Sequence, residues 1–177
     1  MDVRLLPVQP QDEAFLLSVY ASTRAEELAL TGWSPALQAD FVRSQYSAQQ
    51  RYYHSQFPAA QVHIVQFDGR NVGRMITEHT ETSICLIDIA LLPPYRNLGI
   101  GTFLLNSLLE EARRNGVPIK LHVERSNRAL NWYRRLRFEV VGEHGLYVAM
   151  SWEPHAPASA AQLESHGAED SAAVIRD

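Results

Sequence analysis

Residues 93–102 read PPYRNLGIGT, and this stretch carries more information about the fold than any other in the chain. The apolar run of residues 84–92 before it predicts a largely buried strand, and leucines at helical spacing predict a helix after it. Gly99 and Gly101 let the backbone of the turn approach closely and direct its N–H groups toward a phosphate. Because the positive end of a helix dipole lies at the same point, the stretch predicts a cradle for an anion.

The segment of residues 119–138 adds a strand and a short helix. Its first five residues, IKLHV, alternate apolar and polar side chains, which predicts a strand. Asn127 is a candidate N-cap for the short helix that follows. Two further strands are predicted around residues 138–141 and 145–152, with a tight turn at His144 between them.

Together these segments resemble the GNAT (Gcn5-related) N-acetyltransferases over about residues 84–152. The order Arg-x-x-Gly-x-Gly that begins at Arg96 is similar to the acyl-CoA pyrophosphate loop of that family. The family pattern of an asparagine, then a helix ending in Leu-Tyr-x-x-Leu-Gly-Phe, is matched in register by Asn127, Ala129, Tyr133, Leu136 and Phe138. The chain departs from it at Trp132, where leucine is usual, and at Arg137, where glycine is usual.

The second departure has a structural consequence, whereas Trp132 for leucine is a conservative apolar exchange. A usual glycine indicates a backbone with positive φ, which costs a residue with a Cβ atom about 1 kcal/mol. Arg137 is therefore a reason to expect that the end of the short helix is reshaped, although arginine also suits the negative end of a helix dipole.

The resemblance implies an α+β fold of mixed α/β character. This GNAT fold has a central, mostly antiparallel, twisted sheet of about six to seven strands, about four flanking helices and a splayed parallel strand pair that binds acyl-CoA. The pattern along the chain predicts the same order: a strand, two helices, a three-strand meander, a helix, a strand, a helix and two strands. We expect one domain over residues 1–152 and an acidic, Ala/Ser-rich, disordered tail over residues 153–177.

Composition and charge narrow the classes of function. Hydrophobic residues make up 46% of the 177, and no transmembrane run or signal-peptide pattern is present, so we expect a cytoplasmic protein without a membrane partner. Residues 152–177 carry a net charge of −4, which equals that of the whole chain. Residues 113–137 hold eight basic side chains against Glu124; they form either a solvated face or a contact with the phosphates of coenzyme A. No nucleic-acid partner is expected, because the chain is acidic overall and has no recognised nucleic-acid motif.

Metal and thiol chemistry are not indicated. The seven histidines are scattered without ligand spacing, so we expect no metal site. The single cysteine, Cys85, lies in the apolar run, which favours a buried inert thiol over a nucleophile.

The resemblance implies that acetyl-CoA is the co-substrate and that particular residues bind it. The strand end would offer backbone groups to the pantetheine arm and the thioester, and the loop amides would hold the pyrophosphate. The Asn127 side chain would bond the pantetheine or neighbouring backbone; its alternative is simple helix capping. The predicted cofactor-binding residues are Ala90, Leu91, Leu92, Arg96, Asn97, Leu98, Gly99, Ile100, Gly101, Thr102, Asn127, Ala129 and Tyr133.

Four residues are candidates for proton transfer. Tyr133 matches the family tyrosine that protonates the departing thiolate, and its alternative is a packed core tyrosine. His122 is a candidate base because an imidazole pKa near 6.5 suits amine deprotonation at neutral pH. Asp88 and Glu78 on neighbouring predicted strands could act through a water molecule or bind a cationic amine. All three candidate bases could instead be structural strand residues.

The leading functional hypothesis is an acetyl-CoA-dependent N-acetyltransferase acting on a primary amine of a small molecule or protein by direct attack, with Tyr133 as general acid. The alternatives are a non-catalytic acyl-CoA sensor of the same fold, and transfer to a hydroxyl group or of a longer acyl group. The family also raises the expectation of a homodimer. Acceptor contacts could come from aromatic residues through cation–π interaction, or these could be ordinary packing residues: Trp33, Tyr46, Tyr52, Tyr53, His54 and Tyr147.

Overall fold

The computed structural model describes residues 2–154. It contains a seven-stranded mixed sheet and four α-helices. The predicted tail of residues 153–177 lies outside the described residues, apart from its first two. The strands are β1 (Val3–Pro7), β2 (Gln61–Phe67), β3 (Arg70–His79), β4 (Ile84–Leu91), β5 (Ile119–Glu124), β6 (Glu139–His144) and β7 (Tyr147–Trp152). The helices are α1 (Glu13–Ala29), α2 (Pro35–Gln56), α3 (Ile100–Asn115) and α4 (Ala129–Arg135).

The strand order across the sheet is β1-β2-β3-β4-β5-β7-β6. Neighbouring strands are antiparallel except for β4 and β5, which are parallel. This architecture confirms the predicted fold class and order of elements. Because α3 connects two parallel neighbours, it crosses over one face of the sheet, and its first turn lies at the carboxyl end of β4.

The parallel pair separates soon after it forms. Only the first three residues of each strand are paired, from Ile84 with Ile119 to Leu86 with Leu121. Beyond that point β5 stays paired with β7 along its whole length, whereas β4 continues to Leu91 without β5. A V-shaped opening therefore lies between the carboxyl ends of the two strands, as the predicted splayed pair requires.

A bulge in β4 lies at the base of this opening. Ile76 of β3 is opposite Asp88, but the next residue, Thr77, is opposite Leu86. Ile87 is therefore an extra residue in β4, and such a bulge twists a strand and redirects its side chains. Both Ile87 and Asp88 consequently face the α1/α2 side of the sheet.

Apolar cores fill both faces of the sheet. On one face, α3 buries Leu104, Leu105, Leu108 and Leu109, the periodic residues that predicted the helix. On the other face, α1 and α2 pack around a smaller set of buried residues, which includes Leu16, Tyr20, Val42 and Tyr46. The sheet is thus covered on both sides, and the opening between β4 and β5 connects the two faces.

Arg137 keeps the left-handed backbone that the family glycine indicates, with φ of +68°. The expected reshaping of the helix end was therefore wrong. The Arg137 N–H donates to the Arg134 carbonyl at 3.0 Å, and the Phe138 N–H donates to the Tyr133 carbonyl at 3.1 Å. These two hydrogen bonds close the end of α4 and hold Arg137 in the left-handed region.

Replacing Arg137 by glycine should raise the free energy of unfolding by about 0.5–1 kcal/mol. A residue with a Cβ atom costs about 1–2 kcal/mol in the left-handed region, and glycine removes this cost. Glycine also loses more backbone entropy on folding, which offsets about 0.5–1 kcal/mol of the gain. Urea unfolding measures the change, with Arg135→Gly at the last residue of α4 as the control; there the backbone is helical, and the same exchange should destabilise by up to about 1 kcal/mol. A loss of stability in Arg137→Gly as large as in Arg135→Gly would contradict this account.

Candidate functional site

A groove of about 700 Å³ lies between the end of β4, the first turn of α3 and one side of α4. Eight of the thirteen predicted cofactor-binding residues line it: Leu91, Arg96, Asn97, Gly99, Gly101, Thr102, Ala129 and Tyr133. Ala90 and Ile100 are buried behind its wall, and Leu92 and Leu98 lie in the segment between β4 and α3. Asn127 lines a neighbouring cavity. The structure thus gathers the predicted set around one groove and its rim.

The first turn of α3 presents its backbone to this groove. Gly99 is the N-cap residue, with φ of +82°, and offers no side chain to satisfy the first N–H groups of the helix. At the start of α2, by contrast, the Ser34 hydroxyl accepts a hydrogen bond from the Leu37 N–H at 3.3 Å. The glycine cap of α3 leaves its N–H groups and helix dipole directed toward the groove, which suits an anion.

Arg96 fixes the loop before α3 in place. Its Nε donates to the Leu91 carbonyl at 2.9 Å, and its Nη2 donates to the Ser22 carbonyl at 3.4 Å. The side chain therefore ties the loop to β4 and to α1. Its guanidinium is engaged by these two backbone carbonyls, so the loop amides are the better candidates for contact with a phosphate.

Trp132 packs directly on the loop side of the groove. A Cβ atom added at Gly101 would lie 3.4 Å from the indole ring, and the indole Nε1 donates to Thr102 Oγ1 at 3.2 Å. Its ring centroid lies 5.0 Å from that of Tyr133, the next residue. The departure from the usual leucine thus places an aromatic ring between the loop and Tyr133.

The end of β4 is held tightly by β3. A Cβ atom at Gly73 would lie 2.2 Å from the Ala90 carbonyl oxygen, so only glycine fits at this approach. The Leu92 N–H also donates to the Val72 carbonyl at 2.8 Å. The backbone that is predicted to meet the thioester is therefore rigidly positioned on its β3 side.

Tyr133 is fully buried and contributes to the wall of the groove. Its ring packs edge-on against Phe138, with centroids 5.6 Å apart, as well as against Trp132. Both the functional and the packing interpretations of this tyrosine are compatible with that position. Asn127 Oδ1 accepts a hydrogen bond from the Ala129 N–H at 2.8 Å, so its side chain satisfies the first N–H of α4, although the N-cap residue itself is Arg128.

His122 lies on the α1/α2 side of β5, 6% exposed and opposite Ala149 of β7. Its neighbours Leu121 and Val123 point into the core on the other side of the sheet. The imidazole is not among the residues that line the groove, but Glu124, two positions further along the same side, lines the neighbouring cavity.

Asp88 forms a buried ion pair. Its side chain is about 1% exposed, and its Oδ2 accepts from Arg74 Nε at 2.6 Å. Arg74, also buried, donates in addition to Gln49 Oε1 of α2 at 2.9 Å. Burial raises the pKa of the Asp88 carboxyl more than Arg74 beside it lowers that pKa. Held in this way, Asp88 connects α2, β3 and β4 and does not face the groove.

Glu78 is placed far from the groove. It lies near the end of β3 opposite Cys85, and its Oε1 accepts from the Ala59 N–H at 3.1 Å. Six residues of β4 separate this level from Leu91, which corresponds to about 20 Å along a strand. The structure therefore does not bring Glu78 together with the other candidates.

A second cavity, of about 610 Å³, lies between α1, the end of β5 and the start of β7. It shares Glu26, Arg96 and Arg128 with the groove, so the two spaces meet. Glu124 and Tyr147 form part of its wall, and the Tyr147 hydroxyl lies 3.5 Å from Glu124 Oε1. Burial, and then the Glu124 carboxylate, raise the pKa of the Tyr147 phenol.

Sequence reasoning identified only part of this cavity. Of the six aromatic residues proposed for acceptor contacts, Tyr147 lines it, whereas Tyr46 and Tyr53 are buried in the cores. Glu124 and Glu26 were not predicted. The alternation of β5 could have indicated Glu124, because it must share a side with His122. Nothing in the sequence brings Glu26 of α1 to the same place.

None of the helices within residues 2–154 combines the length and the apolar character needed to span a membrane. Over the same residues, no three His, Cys, Asp or Glu side chains are grouped so that they could hold a metal ion.

Comparison with known proteins identifies the family. The model of the acetyltransferase (GNAT) family matches residues 28–138. N-alpha-acetyltransferase 50 of Danio rerio is 34% identical over 71 residues, which are 38% of this chain and 42% of that protein. The chain thus spans about two-fifths of the length of this relative.

Solved structures share the fold at low identity. PaiA N-acetyltransferase from Thermoplasma acidophilum, in complex with coenzyme A, is 18% identical, with a TM-score of 0.65 over 86% of this chain and 99% of its own. Naa50 from Arabidopsis thaliana, in complex with the bisubstrate analogue CoA-Ac-MVNAL, is 18% identical, with a TM-score of 0.57 over 86% and 99%. With a family model that spans more than half of its length and a sheet that opens between β4 and β5, the chain belongs to the acetyltransferase (GNAT) family.

Proposed function

We propose that the chain is an acetyl-CoA-dependent N-acetyltransferase that transfers the acetyl group to a primary amine of a small molecule or protein by direct attack. The observation that carries this proposal is the meeting of two spaces beside Glu26, Arg96 and Arg128, which line both of them. The groove reaches that point from the first turn of α3, and the second cavity reaches it from α1. Two substrates, one in each space, would therefore meet beside these shared residues.

The groove has the features that coenzyme A requires. The N–H groups of residues 99–102 would hold the pyrophosphate, and the unpaired edge of β4 beyond Leu86 would bond the pantetheine arm. Arg128 and Arg135 at the groove could meet a further phosphate. The GNAT relative from Thermoplasma acidophilum was solved with coenzyme A, and the Arabidopsis thaliana relative with a CoA–peptide analogue, which supports this assignment.

Proton transfer completes the reaction. The amine must lose a proton before it attacks the thioester carbonyl, and the thiolate that leaves must gain one. Tyr133, in the groove wall, is our candidate for the group that protonates the sulfur. His122 is our candidate base; because it lines neither space, it would take the proton through a water molecule. Asp88 and Glu78 have structural contacts and are given no step.

Thiol release from acetyl-CoA tests the proposal, with a panel of amines, polyamines and N-terminal peptides as acceptors. We expect turnover on one acceptor class, and a loss of about 10²-fold or more in kcat for His122→Ala, the usual effect of a general base. His63→Ala, at a half-buried position of β2 that lines neither space, is the control and should leave the rate unchanged. Binding of acetyl-CoA without thiol release from any acceptor would overturn the enzyme hypothesis in favour of the sensor. The cytoplasmic location and the homodimer stay predictions.

A further inference from the structure

A hydrogen bond between two side chains joins α4 to the first turn of α3 at the groove. The Trp132 indole donates through Nε1 to Thr102 Oγ1 at 3.2 Å, and both residues line the groove. The same ring packs on Gly101, where an added Cβ atom would lie 3.4 Å away. Leucine, which the family pattern has at position 132, carries no N–H on its side chain and could not make this bond.

The Thr102 hydroxyl is not engaged by its own helix. Further along α3, the Ser107 hydroxyl donates to the Phe103 carbonyl at 3.0 Å, and in α1 the Thr23 hydroxyl donates to the Tyr20 carbonyl at 2.7 Å. Within residues 2–154, the Thr102 hydroxyl makes one hydrogen bond, in which it accepts from the indole. Because a hydroxyl is also a donor, its proton stays available to a ligand in the groove.

This hydroxyl lies at the anion-binding end of α3. Thr102 is the third residue of the helix, and Cα–Cβ bonds in an α-helix are tilted toward its N-terminus. The Phe103 N–H already donates to the Gly99 carbonyl at 2.9 Å, whereas the N–H groups before it have no partner within the helix. An anion that binds those N–H groups is therefore within reach of the Thr102 hydroxyl.

The other charged residues that line the groove do not replace this donor. Arg96 is engaged by two backbone carbonyls, and Glu26 and Arg128 lie where the groove meets the second cavity, since they line both. Arg135 brings a positive charge on a long side chain with several rotatable bonds. By contrast, the Thr102 hydroxyl belongs to a stiff, β-branched side chain and is held by the indole.

We infer that Trp132 is a positioning residue, whose indole holds the Thr102 hydroxyl so that this hydroxyl donates a hydrogen bond to the pyrophosphate of coenzyme A. The inference rests on the proposed function, because it requires acyl-CoA in the groove. Trp132 then increases the affinity for acyl-CoA through Thr102 and takes no part in acyl transfer.

Calorimetric titration of the full chain with acetyl-CoA tests the hydroxyl first. Thr102→Val keeps the shape of the side chain, and we expect Kd to rise about ten- to a hundred-fold, the range of one hydrogen bond to a charged group. Thr102→Ser keeps the hydroxyl and should stay within about three-fold of the wild type. Ser107→Ala removes a hydroxyl of α3 that lines neither space, and should leave Kd unchanged.

The indole is tested in the same titration. Trp132→Phe keeps a ring but removes the N–H, and Kd should rise about three- to ten-fold, the range of one neutral hydrogen bond. Trp33→Phe, outside both spaces, is the control and should leave Kd unchanged. If the indole acts through the hydroxyl, adding Trp132→Phe to Thr102→Val should raise Kd by less than about two-fold beyond Thr102→Val alone.

Acetyl-pantetheine, which lacks the pyrophosphate, separates positioning from general packing. With an acceptor that gives turnover, its KM should be the same within about two-fold in the wild type, Thr102→Val and Trp132→Phe, and kcat at saturating acetyl-CoA should also be unchanged. A wild-type Kd for acetyl-CoA in Thr102→Val or in Trp132→Phe, additive effects in the double variant, or equal losses with acetyl-pantetheine would overturn the inference and leave the proposed function intact. Absence of acetyl-CoA binding to the wild type would overturn both.

Discussion

Replacing Asp88 with asparagine is expected to lower the free energy of unfolding by about 3–5 kcal/mol, the usual effect of breaking a buried ion pair. The exchange keeps the shape of the side chain but removes its charge, so the Arg74 guanidinium, with a side chain 2% exposed, is left without its counter-ion. The Gln49 amide is a neutral acceptor and cannot replace the carboxylate. Urea unfolding followed by circular dichroism measures the loss.

An exposed ion pair provides the control. Arg125 and Glu143 are 2.8 Å apart with side chains 56% and 54% exposed, so Glu143→Gln should change stability by less than about 1 kcal/mol. Removing both buried charges, in Arg74→Met with Asp88→Leu, should recover much of what Asp88→Asn loses, because burial disfavours the ionised carboxyl in any case. A loss in Asp88→Asn no larger than in Glu143→Gln would show that the buried pair does not hold α2, β3 and β4 together.

Tyr133→Phe is expected to lower kcat for acetyl transfer by about 10²–10⁴-fold, the effect of losing a general acid. The ring packing against Trp132 and Phe138 is kept in this variant, so the fold should be preserved. Steady-state kinetics with a saturating acceptor measure the rate, and binding of acetyl-CoA should be nearly unchanged because only the hydroxyl is removed.

A second buried tyrosine distinguishes catalysis from packing. Tyr46 of α2 is 3% exposed and lies in the core on the other side of the sheet. Tyr46→Phe removes the same atom and should leave kcat within about two-fold of the wild type, since Tyr46 lines neither the groove nor the second cavity. If Tyr133→Phe keeps the kcat of the wild type, Tyr133 is a packing residue and the thiolate is protonated by another group.

The local parts of this site could be predicted from the sequence, because they depend on neighbours in the chain. Gly99 before a run of spaced leucines indicates a glycine-capped helix, and Asn127 indicates the start of α4. The resemblance then supplied the parallel pair and its splayed geometry. That geometry depends on the register of β4 with β3 and β5, which no local pattern determines.

The roles of single charged residues could not be predicted in the same way. Asp88 and Glu78 are equivalent as carboxylates on predicted strands, but the β4 bulge and Arg74 bury the first, and the turn before β2 engages the second. Arg74 itself is an arginine that a strand pattern would place in solvent. The alternation of β5 places Glu124 on the same side as His122, but a polar residue at a strand end is usually solvated, and only the packing of α1 and β7 forms a cavity around it.

Detection of the acetylated acceptor by mass spectrometry is the most direct test of the central claim. Each acceptor that gives thiol release from acetyl-CoA is incubated with acetyl-CoA and either the wild-type protein or the Tyr133→Phe variant. We predict that the wild type forms an N-acetylated amine in the same amount as free coenzyme A, and that the variant forms at least two orders of magnitude less product. Thiol release without any acetylated amine, or equal product from both proteins, would contradict it.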